Sequence, residues 1–312
     1  MNGAAGTAND SLIGTALDDT ANGLAGNDVL STGDGDDTLN GGAGLDRAYG
    51  GDGNDTFRFN TGDAPAGERI HGGLGDDSLK LLTSTNFTAA LLYSVESADL
   101  AGRTGTFLGS QFGGSGITSV TSSVAGGALV VTGSANLSAI AVQSGITVTL
   151  NGAAGVVNDT ITGSQLANTI NGLDGNDFLT GLGGNDIITG AGGLDVIVGG
   201  LGKDTMTGGL AADRFDFNAI SEMAKGAAVR DVITDFSHAQ ADRIDLSTID
   251  ASTKVAGSQA FAFLGAAAFS GVAGQLRYAG GIVSGDINGD KVADFEIGLT
   301  GAPALVAADF IL

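Results

Sequence analysis

The chain has 312 residues, 42% of them hydrophobic, with 55 glycines, two prolines and no cysteine. This composition excludes collagen, a wholly disordered chain and a fold held by disulfides. A formal net charge of −22, carried by 31 Asp and only four Glu, argues against nucleic acid and anionic membranes as partners and favours cations.

The first predicted elements are nine-residue units that each contain one aspartate. Asp46 and Asp55, for example, end the segments GGAGLD and GGDGND. The residue two positions after the Asp is large and apolar in most units, as at Leu39 and Phe57. Each unit therefore predicts a glycine-rich turn and a short strand whose middle side chain points inward. This first ladder comprises Asp10, Asp19, Asp28, Asp37, Asp46 and Asp55, and Asp77 ends a further unit.

Residues 81–150 lose the aspartate ladder and become rich in Ser, Thr, Val and Ala. The segments ITSVTSSV (117–124) and ALVVTG (128–133) alternate apolar with polar or small residues, which predicts strands. We expect either more β-solenoid or a small β-sandwich, without a metal. The segment serves as a structural spacer in this interpretation, and ligand binding is the alternative.

A second ladder of the same kind follows the spacer. Its members are Asp159, Asn168, Asp177, Asp186, Asp195, Asp204 and Asp213. The opening units of both ladders, such as GTALDD (14–19) and GSQLAN (163–168), lack paired glycines. Atypical terminal units are expected in solenoids, so these units are predicted to cap the core without binding a cation strongly.

The unit matches the pattern G-G-x-G-x-D-x-U-x in full at 41–46, 50–55, 72–77 and 199–204. It resembles the calcium-binding nonapeptide of the RTX (hemolysin-type) proteins. The resemblance implies a right-handed parallel β-roll with two units per coil and several Ca²⁺ ions between stacked turns. The implied ligands are Asp28, Asp37, Asp46, Asp55, Asp77, Asp177, Asp186, Asp195, Asp204 and Asp213, with the turn glycines Gly41, Gly50, Gly72 and Gly199.

Elementary chemistry supports this interpretation over flexible loops or phosphate-binding loops. Glycine supplies the positive φ that such turns need, and Ca²⁺ takes six to eight oxygen ligands in flexible geometry. Carboxylates on stacked turns repel one another unless a cation lies between them. Because two units make one coil, we expect Asp46 to share an ion with the turn of Asp28, and Asp55 with that of Asp37.

Beyond Phe215 the repeat ends, and a short helix is predicted within 217–227. Segments 231–250 and 285–301 resemble the C-terminal domain of the serralysin metalloproteases. The chain ends in Asp309, Phe310, Ile311 and Leu312. In that family such an ending belongs to an uncleaved signal read by a type I (ABC) secretion apparatus. The same residues also suit a terminal strand packed on the domain.

A further calcium loop is suggested by Asp286, Asn288, Asp290 and Asp294. It departs from the EF-hand, because Lys291 and Ile297 occupy the positions of the turn glycine and the bidentate Glu. An Asx-rich turn is the alternative. The nearby acids Asp231, Asp235, Asp242 and Asp245 are expected to be turn and surface residues, and participation of one of them in a cation site is the alternative.

No catalytic motif is recognisable in the sequence. The zinc motif H-E-x-x-H and the G-x-S-x-G elbow are absent, and the two histidines, His71 and His238, are far apart in sequence. His71 is expected to be exposed in a repeat turn. We therefore expect a protein that is not an enzyme.

The sequence thus predicts an all-β protein. The expected regions are a first β-roll (1–80), a β-rich spacer (81–150), a second β-roll (151–215) and a serralysin-like C-terminal β domain with a type I secretion signal (216–312). The expected function is that of a secreted extracellular calcium-binding protein, folded by Ca²⁺ after export, with a surface, matrix or adhesive role and a cell-surface or matrix ligand. The alternative is the export and folding portion of a secreted enzyme that lacks its catalytic domain.

Overall fold

The computed structural model describes residues 1–4 and 6–312, which divide into two compact units, Met1–Thr149 and Leu150–Leu312. Both units are built from short β-strands. Helical structure in the described residues is confined to 3₁₀ turns at Gly109–Gln111, Ile220–Glu222, His238–Gln240 and Ala307–Asp309. No helix in this part of the chain is long and apolar enough to cross a membrane.

The first unit is a parallel β-solenoid. Its strands are β1 (Ser11–Ile13), β2 (Thr20–Asn22), β3 (Val29–Asp34), β4 (Thr38–Asn40), β5 (Arg47–Asp52), β6 (Thr56–Phe59), β7 (Arg69–Leu74), β8 (Ser78–Leu81), β9 (Thr85–Asn86), β10 (Leu91–Tyr93), β11 (Ser97–Asp99), β12 (Thr104–Leu108), β13 (Ser119–Thr121), β14 (Ala128–Thr132), β15 (Ala135–Asn136) and β16 (Ala141–Val142). One sheet has the order β1-β3-β5-β7-β10, and a second has the order β2-β4-β6-β8-β11-β13-β16. Successive strands of the repeats thus alternate between two sheets.

Two nine-residue units make one coil, as predicted. Leu30 pairs in parallel with Ala48, and Leu39 with Phe57, each across eighteen residues. This register is consistent with a right-handed β-roll, the hand that parallel crossovers adopt. After Phe59 the spacing lengthens to 22 residues, so that Asp77, rather than the residue eighteen after Asp55, joins the ladder.

The inward side chains form a narrow core in each unit. The apolar residue two after each ladder position is buried throughout, except Leu12 in the first repeat, which is half-buried. Even Ala21 and Ala48, the two small residues at this position, lie in the core. Each fully buried Leu, Ile or Phe stabilises the fold by about 1.5–3 kcal/mol, so stacking of many coils supplies the stability that one coil lacks.

Residues 81–149 continue the solenoid and do not form a sandwich. Strand β11 pairs in parallel with β8 and with β13, and β12 pairs in parallel with β14. The rings of Phe59, Phe87 and Phe107 pack in succession in the core, with centroids 5.0 Å apart. Alternating sequence patterns suit both folds, but a sandwich of this kind would need antiparallel sheets.

The second unit also stacks parallel strands, beginning with β17, which starts in the first unit. Its strands are β17 (Thr147–Asn151), β18 (Thr160–Thr162), β19 (Asn168–Asp174), β20 (Phe178–Gly183), β21 (Ile187–Gly192), β22 (Val196–Leu201), β23 (Thr205–Leu210), β24 (Arg214–Asp216), β25 (Asp231–Ile233), β26 (Arg243–Asp245), β27 (Ala262–Phe263), β28 (Gln275–Ala279), β29 (Ile282–Asp286), β30 (Phe295–Leu299) and β31 (Phe310–Ile311). Strands β19, β21 and β23 stack in one sheet, and β18, β20, β22 and β24 stack in the other.

The coil stack of the second unit continues past the end of the sequence repeat. Strand β25 pairs in parallel with β23, β26 with β24, and the terminal β31 with β26. The spacing grows from eighteen residues to 27 and 29, which hides the continuation from the sequence. The helix predicted within 217–227 is a single 3₁₀ turn, Ile220–Glu222. Strands β28, β29 and β30 add an antiparallel meander, and β30 also pairs in parallel with β25.

Candidate metal centre

The ladder aspartates lie at the turns, one residue before a strand of the solenoid. Asp28 precedes β3, Asp37 precedes β4 and Asp46 precedes β5. Their side chains are almost completely buried although the turns themselves reach the surface. At most 2% of the residue is exposed at Asp28, Asp37, Asp46, Asp55, Asp77, Asp177, Asp186, Asp195, Asp204 and Asp213.

One carboxylate oxygen of each aspartate is held by the neighbouring coil. Asp46 Oδ1 accepts a hydrogen bond from the Asp28 amide at 2.7 Å, and Asp55 Oδ1 accepts one from the Asp37 amide at 2.9 Å. The same contact recurs in the second unit, where Asp204 Oδ1 accepts from the Asp186 amide at 2.8 Å. The structure thus joins turns eighteen residues apart, the pairing for which the sequence predicts shared ions.

The other carboxylate oxygen is buried and unsatisfied. Within the described residues, Oδ2 has no hydrogen-bond partner at Asp28, Asp37, Asp46, Asp55, Asp77, Asp177, Asp186, Asp195, Asp204 and Asp213. Unpaired buried carboxylate oxygens cost free energy, and a row of them in register suits the binding of cations.

Glycines keep the space beside each Oδ2 open. A methyl group on Gly41, Gly50, Gly72 or Gly199 would collide with the Oδ2 of the aspartate five residues later. At Gly50 the methyl group would also lie 2.7 Å from the carbonyl oxygen of Gly72 on the next coil. A carboxylate oxygen and a carbonyl oxygen therefore border the same small space. Only the absence of a side chain leaves room there for an ion.

Burial makes these carboxyl groups reluctant to ionise without a cation. Desolvation raises the pKa of Asp46, Asp55 and Asp77 to about 6, and that of Asp186 and Asp213 to about 7. Hydrogen bonds from the neighbouring coil oppose this rise but do not cancel it. A bound divalent cation would favour the ionised form.

The donor set fits Ca²⁺. In the described residues no group of three or more His, Cys, Asp or Glu side chains converges on one point. What the coils bring together is one carboxylate with backbone carbonyls, and such hard oxygen donors suit calcium. The ladder aspartates would hold the ion with the carbonyls of the turn glycines, and the ion would supply the positive charge that stacked turns require.

The opening units differ in one respect. Asp10 Oδ2 accepts a hydrogen bond from the Ala4 amide at 2.7 Å, and Asp19 Oδ2 accepts one from the Thr15 amide at 2.7 Å. In the second unit, Asp159 Oδ2 is bonded in the same manner, and Asn168 uses its amide oxygen. The protein itself satisfies the oxygen that the later units leave unpaired.

A second polar ladder was missed by the sequence interpretation. The residue just before the ladder position is often Asn or Asp, and its side chain accepts a hydrogen bond from the equivalent amide one coil later. Asn27 accepts from the Leu45 amide at 2.9 Å, and Asn176 accepts from the Leu194 amide at 2.8 Å. The recurrent Asn-Asp and Asp-Asp dipeptides are the sequence signal from which this ladder could have been predicted. This outer ladder runs opposite to the aspartate ladder and locks the turns in register.

The aspartate ladder also extends through acids that the sequence did not reveal. Glu68 Oε2 accepts from the Asp46 amide at 2.7 Å, and Asp231 Oδ1 from the Asp204 amide at 2.7 Å. Burial raises the pKa of both to about 8. Asp242 ends the ladder of the second unit. Its Oδ1 accepts a hydrogen bond from the Asp213 amide, and its Oδ2 accepts one from the Ser237 amide.

The expectation that the C-terminal acids are surface residues is wrong for most of them. Asp231, Asp242 and Asp245 are at most 8% exposed, because the coil stack continues through their strands. Asp235 is half-buried, and its two oxygens accept hydrogen bonds from the Gly208 and Gly209 amides.

The loop of residues 286–294 joins β29 to β30 and is held together by hydrogen bonds between its own residues. Asp286 Oδ1 accepts from the Gly289 amide at 2.6 Å and Oδ2 from the Lys291 amide at 3.0 Å. Asn288 Oδ1 accepts a hydrogen bond from the Asp290 amide, and Asp294 Oδ2 accepts one from the Ile287 amide. The geometry is that of consecutive Asx turns, and calcium binding there stays a prediction.

The chain end packs on the second unit. Asp309 is completely buried, and its Oδ1 lies 2.5 Å from His238 Nδ1. Phe310 and Ile311 form β31, and Ile311 and Leu312 are half-buried. His71 is exposed as expected, but it lies in strand β7 rather than in a turn.

A parallel β-solenoid whose repeats combine a buried carboxylate with an open glycine position defines a class of repeat proteins with oxygen-lined turns. The family model of the RTX calcium-binding nonapeptide repeat (4 copies) matches residues 5–39, 31–63, 154–188, 162–197 and 189–219. These matches fall on the two ladders and span less than half of the chain. The chain therefore carries RTX calcium-binding nonapeptide repeats.

Comparison with whole proteins adds a structural neighbour. None of the curated proteins matches the chain. Among the solved structures that match is the solution structure of the AlgE6R3 subunit from the Azotobacter vinelandii mannuronan C5-epimerase. It shares 24% sequence identity over 50% of this chain and 78% of that one, with a TM-score of 0.25.

Proposed function

We propose that the protein is a secreted calcium-binding RTX protein that folds when it meets Ca²⁺ outside the cell and has a non-enzymatic surface, matrix or adhesive role. The observation that supports this most directly is the row of buried, unpartnered Oδ2 atoms beside open glycine positions. Calcium would convert these costly groups into ligands.

Coupling of folding to calcium follows from the charge. The unbound chain carries a net charge of −22, and folding stacks its carboxylates on successive turns. Repulsion and desolvation therefore oppose folding until a cation neutralises the ladder. A ligand that binds only the folded state stabilises it by mass action. Low calcium inside a cell would keep the chain extended, and higher calcium outside would fold it.

Export by a type I apparatus is the second part of the proposal. It rests on the resemblance of residues 216–312 to the serralysin C-terminal domain and on the terminal residues Asp309, Phe310, Ile311 and Leu312. In the folded chain these residues are partly or wholly buried. An unfolded, calcium-free chain would present them freely, which fits export before folding.

The non-enzymatic role is the third part. The ladder contacts engage the buried ladder aspartates, and the sequence contains no cysteine, no G-x-S-x-G elbow and no H-E-x-x-H zinc motif. Hydrolysis of casein and cleavage of polysaccharides by the purified chain should be absent.

Circular dichroism of the purified chain tests the calcium proposal. We expect little β structure in EGTA and a cooperative gain of β structure on addition of Ca²⁺, with Mg²⁺ much less effective. Identical spectra with and without calcium would overturn the proposal.

A further inference from the structure

The outer face of the first unit presents a row of aromatic rings. Tyr49 on β5, His71 on β7 and Tyr93 on β10 occupy paired positions on neighbouring strands. Their ring centroids are 6.3 Å and 6.0 Å apart, and the two tyrosines are 38% and 49% exposed. Exposed aromatic rings in a contiguous row are unusual on a soluble surface and indicate a binding site.

Two arginines run beside this row. Arg47 and Arg69 pair directly with each other on β5 and β7 and are both exposed, and Leu91 continues their row on β10. Like charges at directly paired positions are unfavourable. Among the described residues neither arginine forms an ion pair, although the chain as a whole has a large excess of acids. We define the aromatic–arginine face as Arg47, Tyr49, Arg69, His71, Leu91 and Tyr93.

We propose that the aromatic–arginine face binds an anionic polysaccharide built of uronic acids. This inference deepens the proposed adhesive role and rests on it, because it names the ligand that the surface would hold. Charge complementarity and the repeat of the two rows across successive strands favour this ligand.

The rings suit the sugars of such a polymer. Tyrosine combines an apolar ring face with a polar hydroxyl, which matches a sugar that has an apolar CH face and hydroxyls at its rim. Successive rings lie on successive strands, about 4.8 Å apart in the hydrogen-bonding direction. An extended polysaccharide laid across the strands advances by a similar distance per sugar.

The arginines suit the carboxylates. A guanidinium group recognises a carboxylate through two parallel hydrogen bonds, and Arg47 and Arg69 offer one such group per strand. A uronic acid polymer offers one carboxylate per sugar, so the two rows can be matched together. The net charge of −22 repels any polyanion, but duplex DNA carries about one charge per 1.7 Å of its axis, a denser charge than one carboxylate per sugar, and is therefore repelled more strongly.

The face continues into an open cleft at the end of the aromatic row. This cleft has a volume of about 410 Å³ and is lined by His71, Tyr93, Leu108, Ser110 and Ser115 among others. Ser110 and Ser115 are exposed and present hydroxyl groups. The cleft would accept the next sugar beyond Tyr93.

Tyrosine fluorescence provides a direct measurement. The chain has no tryptophan and three tyrosines, two of which are Tyr49 and Tyr93. The experiment titrates a galacturonate hexasaccharide, too short to gel with calcium, into the calcium-loaded full chain. The same titration is followed by calorimetry. The methyl-esterified hexasaccharide and an oligothymidylate are the comparison ligands.

We expect the free acid to change the fluorescence and to bind about tenfold or more tightly than its neutral ester. The Arg47→Gln/Arg69→Gln and Tyr49→Ala/Tyr93→Ala variants should each bind about tenfold or more weakly. Arg58→Gln is the matched control, because Arg58 is exposed on β6 of the other sheet and should leave binding unchanged.

Equal binding of acid and ester, full binding by the arginine variant, or tighter binding of oligothymidylate would overturn the inference. The comparison of ligands uses the unaltered protein, so it decides the matter even if a variant misfolds. Circular dichroism in calcium is recorded for every sample. A chain that does not respond to calcium contradicts the proposed function, whereas a calcium-folded chain that ignores the uronate contradicts only this inference.

Discussion

Asp46 contacts Asp28 on the neighbouring coil. Its Oδ1 accepts a hydrogen bond from the Asp28 amide nitrogen at 2.7 Å, while its Oδ2 is buried without a partner. The same side chain thus fixes the register of two coils and presents an unpaired charge to the space between them. In the proposed calcium site, structure and metal binding would depend on the same residue, and substitutions can separate the two.

Asp46→Asn should weaken calcium binding while leaving the coil contact in place. Asparagine retains an oxygen for the Asp28 amide but removes the negative charge at the second position. We expect about tenfold weaker binding at that site, which corresponds to about 1.4 kcal/mol, in calorimetric calcium titrations. Asp34→Asn is the control, since Asp34 is an exposed residue at the end of β3. An unchanged titration for Asp46→Asn would contradict the assignment of this oxygen as a ligand.

Two glycines of strand β21 should respond differently to alanine. A methyl group on Gly190 would collide with Asp195 Oδ2 and lie 2.6 Å from the Gly208 carbonyl oxygen. On Gly192 it would meet Asp174 Oδ1 at 2.9 Å, the end of an exposed and movable side chain. Gly190→Ala should lower the free energy of unfolding in calcium by about 1–3 kcal/mol and abolish binding at that turn. Gly192→Ala should lose less than about 1 kcal/mol, measured by denaturant titration. Equal losses of unfolding free energy in the two variants would show that the space between Gly190 and Asp195 Oδ2 has no special role.

The calcium-free chain should become less stable as the pH rises. Burial raises the pKa of Asp186 and Asp213 from 3.8 to about 7 in the folded state. Between about pH 4 and pH 7 the folded state therefore binds more protons than the unfolded state, and its free energy of unfolding falls with increasing pH. Circular dichroism in excess chelator should show this decline as a loss of β structure between about pH 4 and pH 7. Calcium affinity should change in the opposite direction, because the ligand is the ionised carboxylate. Calcium-free stability that increases over this range would contradict the pKa shifts.

The outer Asn ladder should contribute stability without binding metal. Asn176 Oδ1 accepts the Leu194 amide hydrogen at 2.8 Å on the exposed side of the turn. Asn176→Ala should lower the free energy of unfolding by about 1 kcal/mol and leave the number of bound calcium ions unchanged. Asn176→Asp keeps the acceptor and serves as the control that restores stability. A lost calcium ion in Asn176→Ala would show that this ladder also coordinates metal.

Deletion of residues 308–312 should impair export but leave calcium binding to the repeats intact. The deletion removes Asp309 and strand β31, which pairs with β26 at the edge of its sheet. The ladder contacts from Asp177 to Asp213 do not involve these residues. Export is measured in a host with a type I apparatus, and calcium binding is measured by calorimetry on the purified truncation. Normal export of the truncated chain would refute the signal.

The repeat, together with its resemblance to the RTX nonapeptide, was sufficient to predict the solenoid. A nine-residue period with an apolar residue always two after the acid places one side chain per strand in the core, and Leu30 and Leu39 follow this rule. The eighteen-residue pairing of Asp46 with Asp28 followed from the two units per coil that the resemblance implies. These features are local and periodic, so the sequence contains them in readable form.

Only the tertiary structure showed how the ladder continues where the nine-residue period ends. Glu68 and Asp231 join the ladder at spacings of 22 and 27 residues, because loops of variable length can return a strand to the same stack. Such closures depend on pairing between distant segments and leave no regular signal. The row of Tyr49, His71 and Tyr93 arises in the same manner, since 22-residue coils bring outward side chains into line across strands. The sequence by itself determined the spacing of the strands and predicted their calcium sites. Lateral stacking of the coils determined where the ladder ends and which side chains share the outer face.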